Sequence, residues 1–142
     1  MKKTVMKKTI TTILSLAFMA TLPSCHSTKQ VCEDMRGKVW NITEASGIST
    51  HGAMKQPTIT FSPDGRYNGN ASVNSFFGTY KLEGSRLTLS EAGMTRMMGP
   101  TMDIEDAIVK ALGATAEIKV LGDSAIVLNP SGETVMKLRR DK

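Results

Sequence analysis

The sequence predicts an α+β fold, a mainly antiparallel curved sheet or half-open β-barrel with one amphipathic helix packed on it. Three observations carry that expectation. Short runs alternating apolar and polar residues, such as Pro57–Phe61 and Thr134–Arg139, recur between turns rich in Gly, Pro, Asn and Ser. One stretch inside Thr101–Leu112 switches to helical spacing. Once a leader is set aside, about 118 residues remain, enough for one domain with a real core and no disulfides.

The leader is Met1–Ser24. Lys2, Lys3, Lys7 and Lys8 give it a positive start, and the apolar run Ile10–Ala20 is too short to span a bilayer as a stable helix, so the segment reads as a secretion signal. It is followed by Leu22-Pro23-Ser24-Cys25, which resembles the bacterial lipobox. The resemblance implies that Cys25 becomes the lipidated first residue of the mature chain, holding it to a membrane through acyl chains. Ordinary cleavage that leaves Cys25 a thiol, or pairing of Cys25 with Cys32, stays open at this point. With Cys25 lipidated, Cys32 is left as a structural or incidental thiol. No acidic residue follows Cys25, and resemblance to lipoprotein sorting signals then implies an outer-membrane lipoprotein facing the periplasm, with surface exposure also open. Residues 25–34 read as a polar tether without periodicity, and residues 35–142 as the domain.

The domain opens with a strand from Met35–Trp40 to about Glu44, anchored by Trp40, the only tryptophan. Ala45–Gln56 has the composition of a surface loop. Pro57–Phe61 puts Ile59 and Phe61 on one face, and Ser62-Pro63-Asp64-Gly65 turns the chain back. The stretch Asp64–Tyr80 then supplies most of the aromatic anchors, Phe76, Phe77 and Tyr80, beside the bend-permitting Gly69 and Gly78. Thr79–Leu82 and Arg86–Leu89 flank a Glu83-Gly84-Ser85 turn. In the helix, Ile104, Ala107, Ile108, Ala111 and Leu112 form a single stripe, Thr101 or Asp103 suits the N-cap, and Gly113 suits the end. Glu117–Leu121, Ala125–Asn129 and Thr134–Arg139 complete a meander of seven or so strands.

Charge narrows the function. The whole chain carries a net +5, but setting aside the four leader lysines leaves fourteen basic residues against 13 acidic ones, close to neutral. No basic stripe survives the leader, so nucleic-acid binding is not expected.

Taken in order, Met35-Arg36-Gly37-Lys38-Val39-Trp40, Pro57-Thr58-Ile59-Thr60-Phe61, Asp64-Gly65-Arg66, Asn74-Ser75-Phe76-Phe77-Gly78-Thr79-Tyr80, Met94-Thr95-Arg96-Met97-Met98, Met102-Asp103-Ile104-Glu105 and Ala111-Leu112 resemble the META domain, also called the HslJ family, over roughly residues 33–140. The resemblance implies an envelope lipoprotein or secreted domain, linked to heat-shock or antibiotic stress in some bacteria and without established catalytic activity. It also implies a half-open barrel similar to that of pilot lipoproteins that chaperone secretins. Trp40, Asn74, Phe76, Gly78, Tyr80, Thr95, Arg96, Met97 and Glu105 match its motifs, as structural or binding residues. Two positions depart from the pattern. Ser72-Val73-Asn74 stands where the family usually has Gly-Cys-Asn, and Gly99 stands where it usually has Cys. The joint loss implies that the two positions are neighbours in space, filled here by Val73 and Gly99.

For catalysis the chain offers few groups. His26 falls in the tether and His51 in a loop, while Asp103, Glu105 and Asp106 sit where a helix N-terminus favours carboxylates, so no enzyme activity and no cofactor is expected. Glu105 is expected to be a scaffold residue, bonded to backbone near Thr95-Arg96 or paired with Arg96, and Asn74 to satisfy turn backbone groups. The expected role is binding, of an envelope protein or an apolar ligand, beside the helix. A thioether cluster, Met94, Met97, Met98 and Met102, gives an alternative: a copper site, joined by His51 and Met54, in place of ordinary core filling.

Overall fold

The structure is a computed structural model that describes residues 28–141. The leader and Cys25 therefore lie outside the described residues. The chain runs α1 (Thr28–Met35), β1 (Val39–Ala45), β2 (Ile48–Ser49), β3 (Thr58–Phe61), β4 (Arg66–Asn70), β5 (Ser75–Glu83), β6 (Arg86–Leu89), β7 (Gly93–Met94), α2 (Met102–Gly113), β8 (Glu117–Leu121), β9 (Ser124–Leu128) and β10 (Thr134–Arg139).

The sheet is antiparallel, as expected, but it is closed where a curved sheet or half-open barrel was anticipated. β1 pairs with β3 on one side and with β10 on the other, so eight strands form a ring, β1-β3-β4-β5-β6-β8-β9-β10; β2 and β7 pair outside it, on β1 and β5. Closure removes the exposed edges that an open sheet would have to protect. Its local cause is visible in β1. Trp40 and Ile42 point inward, strict alternation would send Glu44 inward next, and a register shift against β10 between Ile42 and Glu44 turns Ala45 inward instead. Glu44 thereby reaches solvent and meets Lys137 at 2.8 Å. One seam of the ring is thin. β6 and β8 share the single register pair Arg86↔Glu117, supported by Leu87 N–H to the Ala116 carbonyl (3.0 Å) and Ile118 N–H to the Ser85 carbonyl (2.8 Å).

An eight-stranded barrel leaves an interior about wide enough for side chains. Here Trp40, Phe61, Tyr67 and Phe76 fill it, with Ile59, Leu87, Ile118 and Leu138 between them. The Phe61 and Tyr80 rings meet edge to face at 5.3 Å. α2 behaves as its stripe predicts: Ile104, Ala107, Ile108, Ala111 and Leu112 are all buried, and the helix packs against β1, β2 and β10. The Thr101 side chain does not cap it, being bonded to Ser72, and Gly113 falls within the last turn with Ala114 at the C-cap.

The expected tether is largely a helix. From Thr28 the chain forms α1, whose Val31 and Met35, one turn apart, are buried in the core, while Trp40 donates its indole N–H to the Met35 carbonyl (3.1 Å). A polar composition hid an i,i+4 apolar pair. β2, inside the expected loop Ala45–Gln56, and β7 are two-residue pairings too short to carry any periodicity.

Candidate functional site

Asn74 sits between β4 and β5, and the chain reaches it through a strained step. Ser72 is buried with φ +93°, a conformation that favours glycine, at the position where the family pattern has Gly. Its hydroxyl offsets part of that cost. It accepts the Met54 N–H at 3.0 Å and lies 2.6 Å from the Thr101 hydroxyl, tying the β4–β5 corner to the start of α2.

Asn74 itself is 1% exposed and uses its whole amide. Nδ2 donates to the Met97 carbonyl (2.8 Å) and to Glu105 Oε1 (2.9 Å), while Oδ1 accepts from Met97 N–H (2.7 Å) and the Thr95 hydroxyl (2.9 Å). Its backbone N–H donates to Glu105 Oε2 at 2.9 Å, so both carboxyl oxygens of this 5% exposed side chain are satisfied by one residue. Thr95 closes the network by accepting Ser75 N–H at 3.1 Å. The expectation for Asn74 thus holds in kind, since it bonds backbone at Met97. For Glu105, the partner is Asn74, where Arg96 or backbone near it was expected; Arg96 is exposed.

This network fixes one wall of a cleft of about 580 Å³ between the β7 segment and α2. Met94, Met97, Met98 and Met102 line it, with Arg96, Asp106 and Val109. Met97 is 59% exposed and Met98 88%, far from the buried gap-fillers expected of methionine; Met94 and Met102 are half-buried. Phe77 (61% exposed) stands nearby on β5, its ring against Gly93, which also lines the cleft. His51 and Met54 line no part of it.

The other motif residues are structural. Trp40 and Phe76 are core, and the Arg140 guanidinium lies 5.0 Å from the Trp40 ring centre. Gly78 lets the Tyr67 ring lie on the β5 backbone, since a Cβ there would stand 2.6 Å from it, and the Tyr67 hydroxyl donates to the Ser90 carbonyl at 2.9 Å. Burial pushes the Tyr67 phenol above its ordinary 10.0, against a lowering effect of the Ser90 side-chain hydroxyl. Tyr80 accepts from Arg36 Nε and donates to the Ser62 carbonyl, both at 2.8 Å. Val73 and Gly99 are neighbours, as the paired departure implied: a Cβ on Gly99 would lie 3.4 Å from Val73 Cβ. Cys32 is half-buried on α1 and has no disulfide partner among the described residues.

Several solved structures share the fold. A DUF4847 family protein from Bacteroides vulgatus is 15% identical, with a TM-score of 0.60 over 79% of this chain and 98% of that one. A protein from Burkholderia xenovorans solved by NMR is 23% identical, with a TM-score of 0.58 over 87% and 94%. A further NMR structure, 20% identical, gives 0.61 over 76% and 92%. No curated protein matches the chain. The META domain family profile matches residues 33–142.

Proposed function

The chain belongs to the META domain family, and from that premise we propose that it is a non-catalytic envelope lipoprotein whose barrel binds a partner protein or apolar ligand in envelope maintenance or stress. In this reading Met1–Ser24 is removed, Cys25 carries the acyl chains, and the barrel faces the periplasm from the outer membrane. The observation that carries the binding role is the exposed apolar wall beside α2. Met97, Met98 and Val109 are all more than a third exposed there, around one cleft. Leaving such surface in water forgoes about 25 cal/mol per Å² that burial would recover, and grouped exposure of this kind marks contact surfaces. The backbone beneath is held by the Asn74–Glu105 network, so a ligand would meet a preformed wall.

Two measurements test the reading. Acyl-donor labelling of the full chain should mark the wild type and leave Cys25→Ala unmarked; an unlabelled wild type overturns the anchor. A photo-crosslinking residue at Met98 should capture a discrete envelope component that the same probe at Leu121, exposed on β8, does not. Equal capture at both positions overturns the cleft as the binding surface.

A further inference from the structure

Four of the ten methionines line one cleft; Met94 packs in part against the core, and packing does not account for Met97 and Met98. Met35 and Met136, 0% and 2% exposed, do the ordinary work of methionine and fill the core. Met97 and Met98 instead stand out in solvent, with Met94 on the β7 side and Met102 on the α2 side of the same cleft. The backbone of Met97 is pinned at both its N–H and its carbonyl by Asn74, so this thioether hangs from a fixed backbone on the cleft that the other three also line. A thioether sulfur is a neutral, soft, polarisable donor, which suits Cu(I) and its redox-inert analogue Ag(I) and does not suit hard cations. The charges lining the cleft do not oppose a cation, since Arg96 is accompanied by Glu105 and Asp106. Among the described residues, no group of three or more His, Cys, Asp and Glu could hold a metal, so a borderline ion such as Zn(II) has no competing set of hard or nitrogen donors.

We propose that Met94, Met97, Met98 and Met102 form a binding site for a single soft monovalent cation of the Cu(I) class. The proposal goes beyond the partner-binding reading and does not depend on it, although both use the same cleft. The two separate cleanly, because Met→Leu removes the sulfur while keeping the apolar surface and nearly the same volume.

The test is a titration of the full chain carrying Cys25→Ser, Cys32→Ser and methyl-13C methionine, first with Ag(I) and then with Cu(I) kept reduced. One equivalent should shift the methyl resonances of Met94, Met97, Met98 and Met102 and leave those of Met35 and Met136 in place. Met97→Leu with Met98→Leu should weaken binding at least tenfold, and Zn(II) should leave the spectrum unchanged. Shifts located elsewhere, no uptake at micromolar Ag(I), or an affinity unmoved by the double variant overturns the site. Capture by the Met98 probe that persists when Met97→Leu is added leaves the binding-module reading standing whatever the metal result, and capture that fails at Met98 with the other methionines intact sinks that reading without touching this one.

Discussion

Asn74 is the residue on which most of the candidate site depends, because one amide and one backbone N–H satisfy Glu105, Thr95 and both polar groups of Met97. Asn74→Ala leaves the buried Glu105 Oε1 without its partner and releases the Thr95 hydroxyl and the Met97 backbone. The expected loss is about 3 kcal/mol, read by chemical denaturation. Glu105→Gln keeps the shape but turns one acceptor into a donor facing an N–H, so a loss of about 2 kcal/mol is expected from a change of a single atom. Both residues were legible as motif matches. Their pairing was not, because it joins positions 31 apart and Arg96 was the nearer electrostatic guess. Tyr67 carries a pH prediction. Its folded phenol holds its proton more tightly than an exposed one, so its contribution is intact below pH 10 and is lost as pH rises from there through the raised value. Stability against urea should fall above pH 10, and less steeply in Tyr67→Phe. Exposure makes a further prediction for Met98: dilute peroxide should oxidise it before buried Met35 and Met136, as read by peptide mass spectrometry.

At the scale of elements, what the sequence disclosed follows from how locally each element is encoded. α2 was readable because its stripe of five apolar positions is a local signal, and every one of them is buried. α1 was missed because only Val31 and Met35 bind it to the core, amid polar neighbours. β2 and β7 exist only as pairings to β1 and β5, so no local pattern could announce them. The contact between Val73 and Gly99 links the β4–β5 corner to the segment leading into α2, and it can be made covalent. With Cβ positions 3.4 Å apart, close to the roughly 3.5–4.5 Å of real disulfides, Val73→Cys with Gly99→Cys should oxidise spontaneously. Closing that loop of about 25 residues should add roughly 3 kcal/mol, seen as a rise in Tm abolished by reductant. Persistent free thiols under oxidising conditions would contradict the geometry.

Over the whole molecule, the antiparallel strands and their order along the chain were foreseeable, and closure was not. Whether β1 meets β10 depends on register and on a bulge between residues far apart in sequence, neither of which a pattern of alternation records. The ring should also be unequal in strength. Native-state hydrogen exchange is expected to release the Leu87 and Ile118 amides at the thin β6–β8 seam before those of β4 and β5, which are paired from Arg66↔Thr79 to Asn70↔Ser75. Simultaneous exchange of both sets would mean the seam opens only with global unfolding. The helix at the start of the domain bears on how the protein would sit in its envelope. If Cys25 carries the acyl chains, only His26 and Ser27 lie between the lipid and a helix rooted in the core through Met35. Their full reach is about 10 Å. Such a barrel would have almost no swing, its stand-off from the headgroups would be fixed, and any partner would have to be brought to the bilayer surface to be met.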